Sequence, residues 1–285
     1  MTPRRRWASV PAVLGVASTL VVVTAGGCAN AAPAALRGDP AAVVRAAADR
    51  TMAAGTAQVD VSVAADLSGS GVVDLAREEG RFTFSRTGAT AHLGDHFDVV
   101  VEGGREWVRA SGAAGGLPGT APDRPWLSGS PADVGAVVRA RVPPLETVMV
   151  RPGLGTDVAF LRGATRVAPY GGEEVRGVNT YRYTLEVDLP TAISASPPDQ
   201  RPELEAAAAA IGPVRWPADV WLDAQGRVRR LQMAEDPQLH TTTTKANLLI
   251  TEDGNYLALT NIQFYDFGGA AAISPPSPDQ AVGAA

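Results

Sequence analysis

The 285-residue chain has little of several things that chemistry usually needs. It has one cysteine, Cys28, so no disulfide can form within it and no multi-cysteine metal cage exists. It has three histidines and no Gly-x-Ser-x-Gly elbow, which leaves little for a nucleophilic triad. Gly69-Ser70-Gly71 lacks the strand-to-helix setting such an elbow requires. No Gly-rich phosphate loop is present. Lysine is nearly absent, with Lys245 alone, and arginine takes its place as in a high-GC bacterium. Positive charge is also short: residues 28–285 hold 22 basic side chains (25 less Arg4, Arg5 and Arg6) against 30 acidic, a net of −8. That balance excludes the basic footprint of a nucleic-acid protein and a polybasic lipid patch. These absences together point away from an enzyme and from a cofactor.

What is present begins at the N-terminus. Arg4-Arg5-Arg6 precedes an apolar run from Val10 to Thr24, broken by Pro11 and Gly15, and then Ala25-Gly26-Gly27-Cys28. The run is short for a span, which needs about 20 apolar residues. The order is that of a secretory signal, residues 1–27. A cysteine directly after small residues resembles a bacterial lipobox, which implies that Cys28 is lipidated. The usual Leu or Val three places before the cysteine is Ala25 here. Residues 28–38 then form a lipidated tether, 39–267 the folded domain, and 268–285, rich in Ala, Pro and Ser, a loose tail. The expected place is the extracytoplasmic face of the cell membrane, held by an N-terminal lipid anchor. An ordinary secreted protein is the other reading.

The domain opens with Asp39-Pro40, a helix cap and a first helical residue, ahead of Val43, Val44, Ala47, Thr51 and Met52 on one face and a stop at Gly55. Strict alternation then predicts strands. Val59, Val61, Val63 and Ala65 share one side, Phe82 and Phe84 another, and Tyr183, Leu185, Val187 and Leu189 a third. Gly103-Gly104, Asp223 to Gly226 and Asp253-Gly254 mark hairpins, the last joining Leu239–Ile250 to Tyr256–Phe267. Short helices are expected at Pro131–Arg141, at Thr156–Arg162 with Thr156 as cap, and from Pro197-Pro198 to Ile211. Long runs of strands with few helices between them make an α+β domain.

The order of pieces carries a resemblance. The cysteine and first helix are followed by Ala54-Gly-Thr-Ala-Gln-Val59, Gly71-Val-Val-Asp-Leu75 and Glu173-Glu-Val-Arg-Gly177. Then come Val220-Trp-Leu-Asp223, Gly226-Arg-Val-Arg-Arg-Leu231 and Asp266-Phe-Gly268 before Pro275-Pro276. This resembles the actinobacterial lipoproteins of the LppX/LprG type, in the LolA/LolB lipoprotein-carrier superfamily. The resemblance implies a curved antiparallel β-sheet, a half-barrel, with helices covering the concave face. It also implies a lipid or other hydrophobic ligand held between sheet and helices. Candidate lining residues are the inward sets Val59, Val61, Val63, Phe82, Phe84, Tyr183, Leu185 and Trp221, with Leu161 from the covering helices. The same residues equally suit a dry core, since interiors are close-packed. The function expected is lipid binding and transport. The alternative is a non-carrier binding or sensory module with a filled core and a protein partner. A hairpin turning at Gly94 would let His92, His96 and Asp98 approach one another, a pattern that suits zinc or, more simply, a solvated hairpin tip.

Overall fold

The computed structural model describes residues 33–63, 67–86, 96–112, 115–139, 153–211, 215–234, 241–245, 248–251, 256–257 and 259–284. Cys28 and the segment read as its signal, the turns expected at Gly94 and at Asp253-Gly254, and Pro143-Pro144 lie outside them.

Helix α1 spans Pro40–Met52, and Asp39 caps it by accepting the Ala42 N–H at 2.8 Å. Val43, Val44, Ala47, Ala48, Thr51 and Met52 form its buried face. Gly55, at φ +73°, turns the chain out of the helix, a conformation that costs glycine nothing. A meander follows: β1 (Thr56–Val63), β2 (Leu67–Asp74), β3 (Glu79–Arg86), β4 (His96–Glu102), β5 (Arg105–Ser111) and β6 (Trp126–Gly129). Helices α2 (Pro131–Arg139) and α3 (Gly153–Ala159) come next, and α3 tightens into a 3-10 turn at Phe160–Gly163. Then come β7 (Ala164–Val175), β8 (Val178–Asp188), α4 (Leu189–Ala195), α5 (Arg201–Ile211), β9 (Arg215–Leu222) and β10 (Val228–Ala234). The chain ends with β11 (Thr241–Lys245), β12 (Leu248–Thr251), β13 (Tyr256–Leu257), β14 (Leu259–Tyr265) and β15 (Ala281–Gly283).

Twelve of these strands make one open sheet, in the order β15-β6-β5-β4-β3-β2-β1-β14-β10-β9-β8-β7. Neighbours run antiparallel, except that β15 lies parallel to β6. Two meanders, one from each half of the chain, are thus joined by β14, which pairs with β1 on one side and β10 on the other. The result is the curved α+β sheet read from the sequence, with the helices against one apolar face. The core runs through both halves, from Val59 and Ile262 at the centre to Val108 and Val187 toward the edges.

Four local expectations change. The run read as one arm of a long hairpin, Leu239–Ile250, holds two strands, and β11, β12 and β13 form a separate three-stranded sheet. The stretch after Gly268, read from composition as a loose tail, carries β15, which extends the main sheet. Thr156 is buried inside α3 rather than capping it. Leu189, expected as the last inward residue of its strand, instead opens helix α4; Asp188 caps it by accepting the Thr191 N–H at 2.9 Å, just ahead of Pro190.

Candidate ligand site

The face toward the helices is where apolar ligand contact is expected, and it starts from three glycines. A Cβ on Gly69 would stand 2.2 Å from Phe84 Cδ1, one on Gly71 2.6 Å from Phe82 Cδ1, and one on Gly80 2.5 Å from Phe82 Cζ. The two rings therefore lie flat over bare backbone, with centroids 6.0 Å apart. The Gly-Ser-Gly that resembles part of a nucleophile elbow is a seat for phenylalanines. Around them the inward sets converge as the alternation predicts. Val59, Val61, Val63, Phe82, Phe84, Leu161, Tyr183 and Leu185 are all buried in one cluster.

Trp221 is placed elsewhere. Pairing of Tyr183 with Val220 and of Leu231 with Val220 puts Val220 on the helix-facing side, so Trp221 points the other way. There the guanidinium carbons of Arg182 and Arg230 stand 4.9 and 4.8 Å from its ring centre, and its Nε1 donates to Glu173 Oε2 at 2.7 Å. Arg182 also pairs with buried Asp219 at 2.8 Å and lies over the exposed Tyr170 ring at 4.3 Å. Val220-Trp221-Leu222 is apolar on both sides, so alternation alone could not phase this strand.

Side-chain fasteners tie the helical cover to the sheet and its parts to one another. Thr51 Oγ1 donates to Ala47 O at 2.7 Å and accepts the Val228 N–H at 2.9 Å, joining α1 to β10. Arg162, itself buried, reaches three partners. It meets Asp49 Oδ1 of α1 at 2.9 Å, Ser196 Oγ at 3.1 Å and Gln200 Oε1 at 2.8 Å. Gly163 follows in a close approach: a Cβ there would sit 2.2 Å from Asp188 O and 2.8 Å from Ala192 N. Below α1, the β9–β10 turn is organised by Asp223. Burial alone would raise its carboxyl, but hydrogen bonds from the Arg227 N–H and the Arg229 and Arg227 guanidiniums outweigh it and hold it below its ordinary value.

Two buried polar side chains on this face break the apolar pattern: Thr260, beside Val63 and Met233 with its Oγ1 unpartnered among the described residues, and one carboxyl. Glu106 of β5 lies between Val101 of β4 and Gly129 of β6 in the cross-strand register, on the same side as Val108. It is 3% exposed, and its Oε2 has no hydrogen-bond partner among the described residues. Burial pushes its carboxyl up from 4.5 to about 8. The sequence offered no warning beyond one acid at an inward position of a strand.

Of the candidate metal ligands, His92 lies outside the described residues, and the other two have protein partners. His96 Nδ1 is 2.9 Å from Ser85 Oγ, and Asp98 is held by Arg109 at 2.6 Å and by Thr83 at 3.0 Å. No group of three or more potential metal ligands occurs among the described residues. No helix among them is long and apolar enough to cross a membrane.

What fold and site define is a helix-covered, open, curved sheet with an apolar inner face. No family model matches the chain, and no curated protein does. Among solved structures it is similar to the lipoprotein LppX of Mycobacterium tuberculosis, at 14% identity over 83% of this chain and 100% of that one, TM-score 0.43. It is similar to LprF of Mycobacterium bovis, at 12% identity over 84% and 100%, TM-score 0.42. A proposed outer membrane lipoprotein-sorting protein domain of Vibrio parahaemolyticus matches at 11% identity over 81% and 92%, TM-score 0.27.

Proposed function

We propose that the chain is an extracytoplasmic lipoprotein, anchored through acyl chains on Cys28, that binds and carries a lipid or other apolar ligand. It works by burial and not by catalysis. The observation that carries this reading is the construction of the cover. One apolar face spans both meanders, and short separate helices close it through a few polar fasteners. A lipid entering beneath this cover would gain about 0.8 kcal/mol for each acyl CH₂ it buries. The acyl chains on Cys28 and the chain of a bound ligand are separate: the first hold the protein to the membrane, the second is cargo.

The test is native mass spectrometry of mature protein purified from its host membranes. The expected spectrum shows Cys28 acylated and a lipid adduct that leaves on denaturation. Absence of an adduct, together with failure to bind acyl probes, overturns the reading. A second reading, a surface module with a filled core and a protein partner, is favoured by one observation: the eight converging residues are each no more than 8% exposed. A protein that stays lipid-free and probe-blind selects it.

A further inference from the structure

Glu106 belongs to a continuous cross-strand row, Val73–Gly80–Val101–Glu106–Gly129, on the helix-facing side of the sheet. The Phe82 ring overlies Gly80, two strands away in that row. At the other end α2 comes down over Gly129, where a Cβ would lie 3.4 Å from Val134 Cγ2 and 3.5 Å from Asp133 Cβ. The carboxyl thus sits under α2, at the end of the aromatic floor, among apolar neighbours. Native interiors satisfy their buried polar groups, and one left alone calls for a reason. A leucine or valine would serve packing better at this position. A carboxyl kept neutral by burial is a hydrogen-bond donor as well as an acceptor.

We propose that Glu106 is the polar anchor of the interior site, its carboxyl donating a hydrogen bond to an ester carbonyl or hydroxyl oxygen of an uncharged lipid that lies between β4–β6 and α2. This rests on the ligand-binding reading above and narrows it to a ligand with both acyl chains and a neutral oxygen. The row supplies the apolar floor, and Glu106 fixes how far the lipid enters.

The experiment uses the full mature chain stripped of lipid in detergent. Two probes separate the two ideas: diphenylhexatriene, a pure hydrocarbon that fluoresces when bound, and dioleoylglycerol, which displaces it. Glu106→Leu keeps diphenylhexatriene binding and needs about tenfold more dioleoylglycerol for displacement. Glu106→Gln, which still donates and accepts, stays within about twofold of wild type. Should the leucine variant not fold, Glu106→Met makes the same test with an unbranched side chain. A leucine or methionine variant displaced as readily as wild type overturns the anchor. So does wild type that binds diphenylhexatriene but ignores dioleoylglycerol, and in that case the apolar-ligand reading survives. Wild type that binds neither probe overturns both.

Discussion

Replacing Glu106 by Gln should change how stability depends on pH, and the size of the change follows from its burial. In the unfolded chain the carboxyl ionises near its ordinary value of 4.5; in the fold burial raises it to about 8. The folded state therefore holds a proton that the unfolded state releases. Its contribution is fully present below 4.5 and falls as pH rises, because unfolding gains free energy from deprotonation. It is gone once the folded group also ionises, above about 8. Roughly 3.5 pH units at about 1.4 kcal/mol each gives on the order of 3–5 kcal/mol lost across that window. Other acids titrate too, so the difference between wild type and Glu106→Gln is the informative quantity. Asp133, the acid that α2 brings near this end of the row, is exposed and bonded to Ser130 at 2.6 Å. It is present in both proteins and cancels. Urea denaturation of lipid-free protein at half-unit steps from pH 5 to 9 measures the difference. Wild type should lose about 1.4 kcal/mol per pH unit relative to the variant up to about pH 8, then run parallel to it. Parallel curves throughout would refute the claim that Glu106 is buried without a partner.

Further outcomes follow from the cover and the anchor. Gly163→Ala should destabilise by about 2 kcal/mol or more, since its Cβ meets backbone atoms of Asp188 and Ala192 that cannot rotate away; thermal melting reads this. Thr51→Val keeps the shape but orphans the Val228 N–H, which should cost about 1–3 kcal/mol and speed hydrogen exchange at Val228. Arg162→Lys should lose most of what Arg162→Ala loses, because an ammonium cannot span Asp49, Ser196 and Gln200 together; matched denaturation curves for the two variants check it. Cys28→Ala should leave the fold and acyl-probe binding intact while releasing the protein from membranes or leaving its signal uncut; fractionation decides, and a normally processed, membrane-held variant refutes the lipobox reading.

Much of the fold was legible because period-2 alternation is a local signal. Asp39-Pro40, the Val59–Val63 strand and the turn at Asp223–Gly226 stand where their chemistry puts them. The signal failed where two rules compete. In β7, Pro169, Gly171 and Gly172 read as loop, but β7 is the sheet's edge, where a missing N–H and irregular pairing are tolerated. Trp221 stands among the expected inward residues because three apolar residues in a row, Val220, Trp221 and Leu222, hide the phase. Its outward burial depends on Arg182 and Arg230, which arrive from other strands. Glu106 was invisible for the same reason. A glutamate beside Trp107 reads as an ordinary solvated position until Val101, Gly129 and α2 close around it.

The strand that joins the two meanders has a consequence for the order of folding. β14 is drawn from residues 259–265, yet it fills the place between β1, at residues 56–63, and β10. A chain that arrives N-terminus first therefore exposes one long edge of β1 until about 200 further residues have followed it. That edge carries Gln58, Asp60 and Ser62 on its outer side, polar residues that discourage pairing with a stranger. Contacts so distant in sequence form slowly. Completion waits for residues 259–265, and any product ending before Leu259 leaves the facing edges of β1 and β10 unpaired.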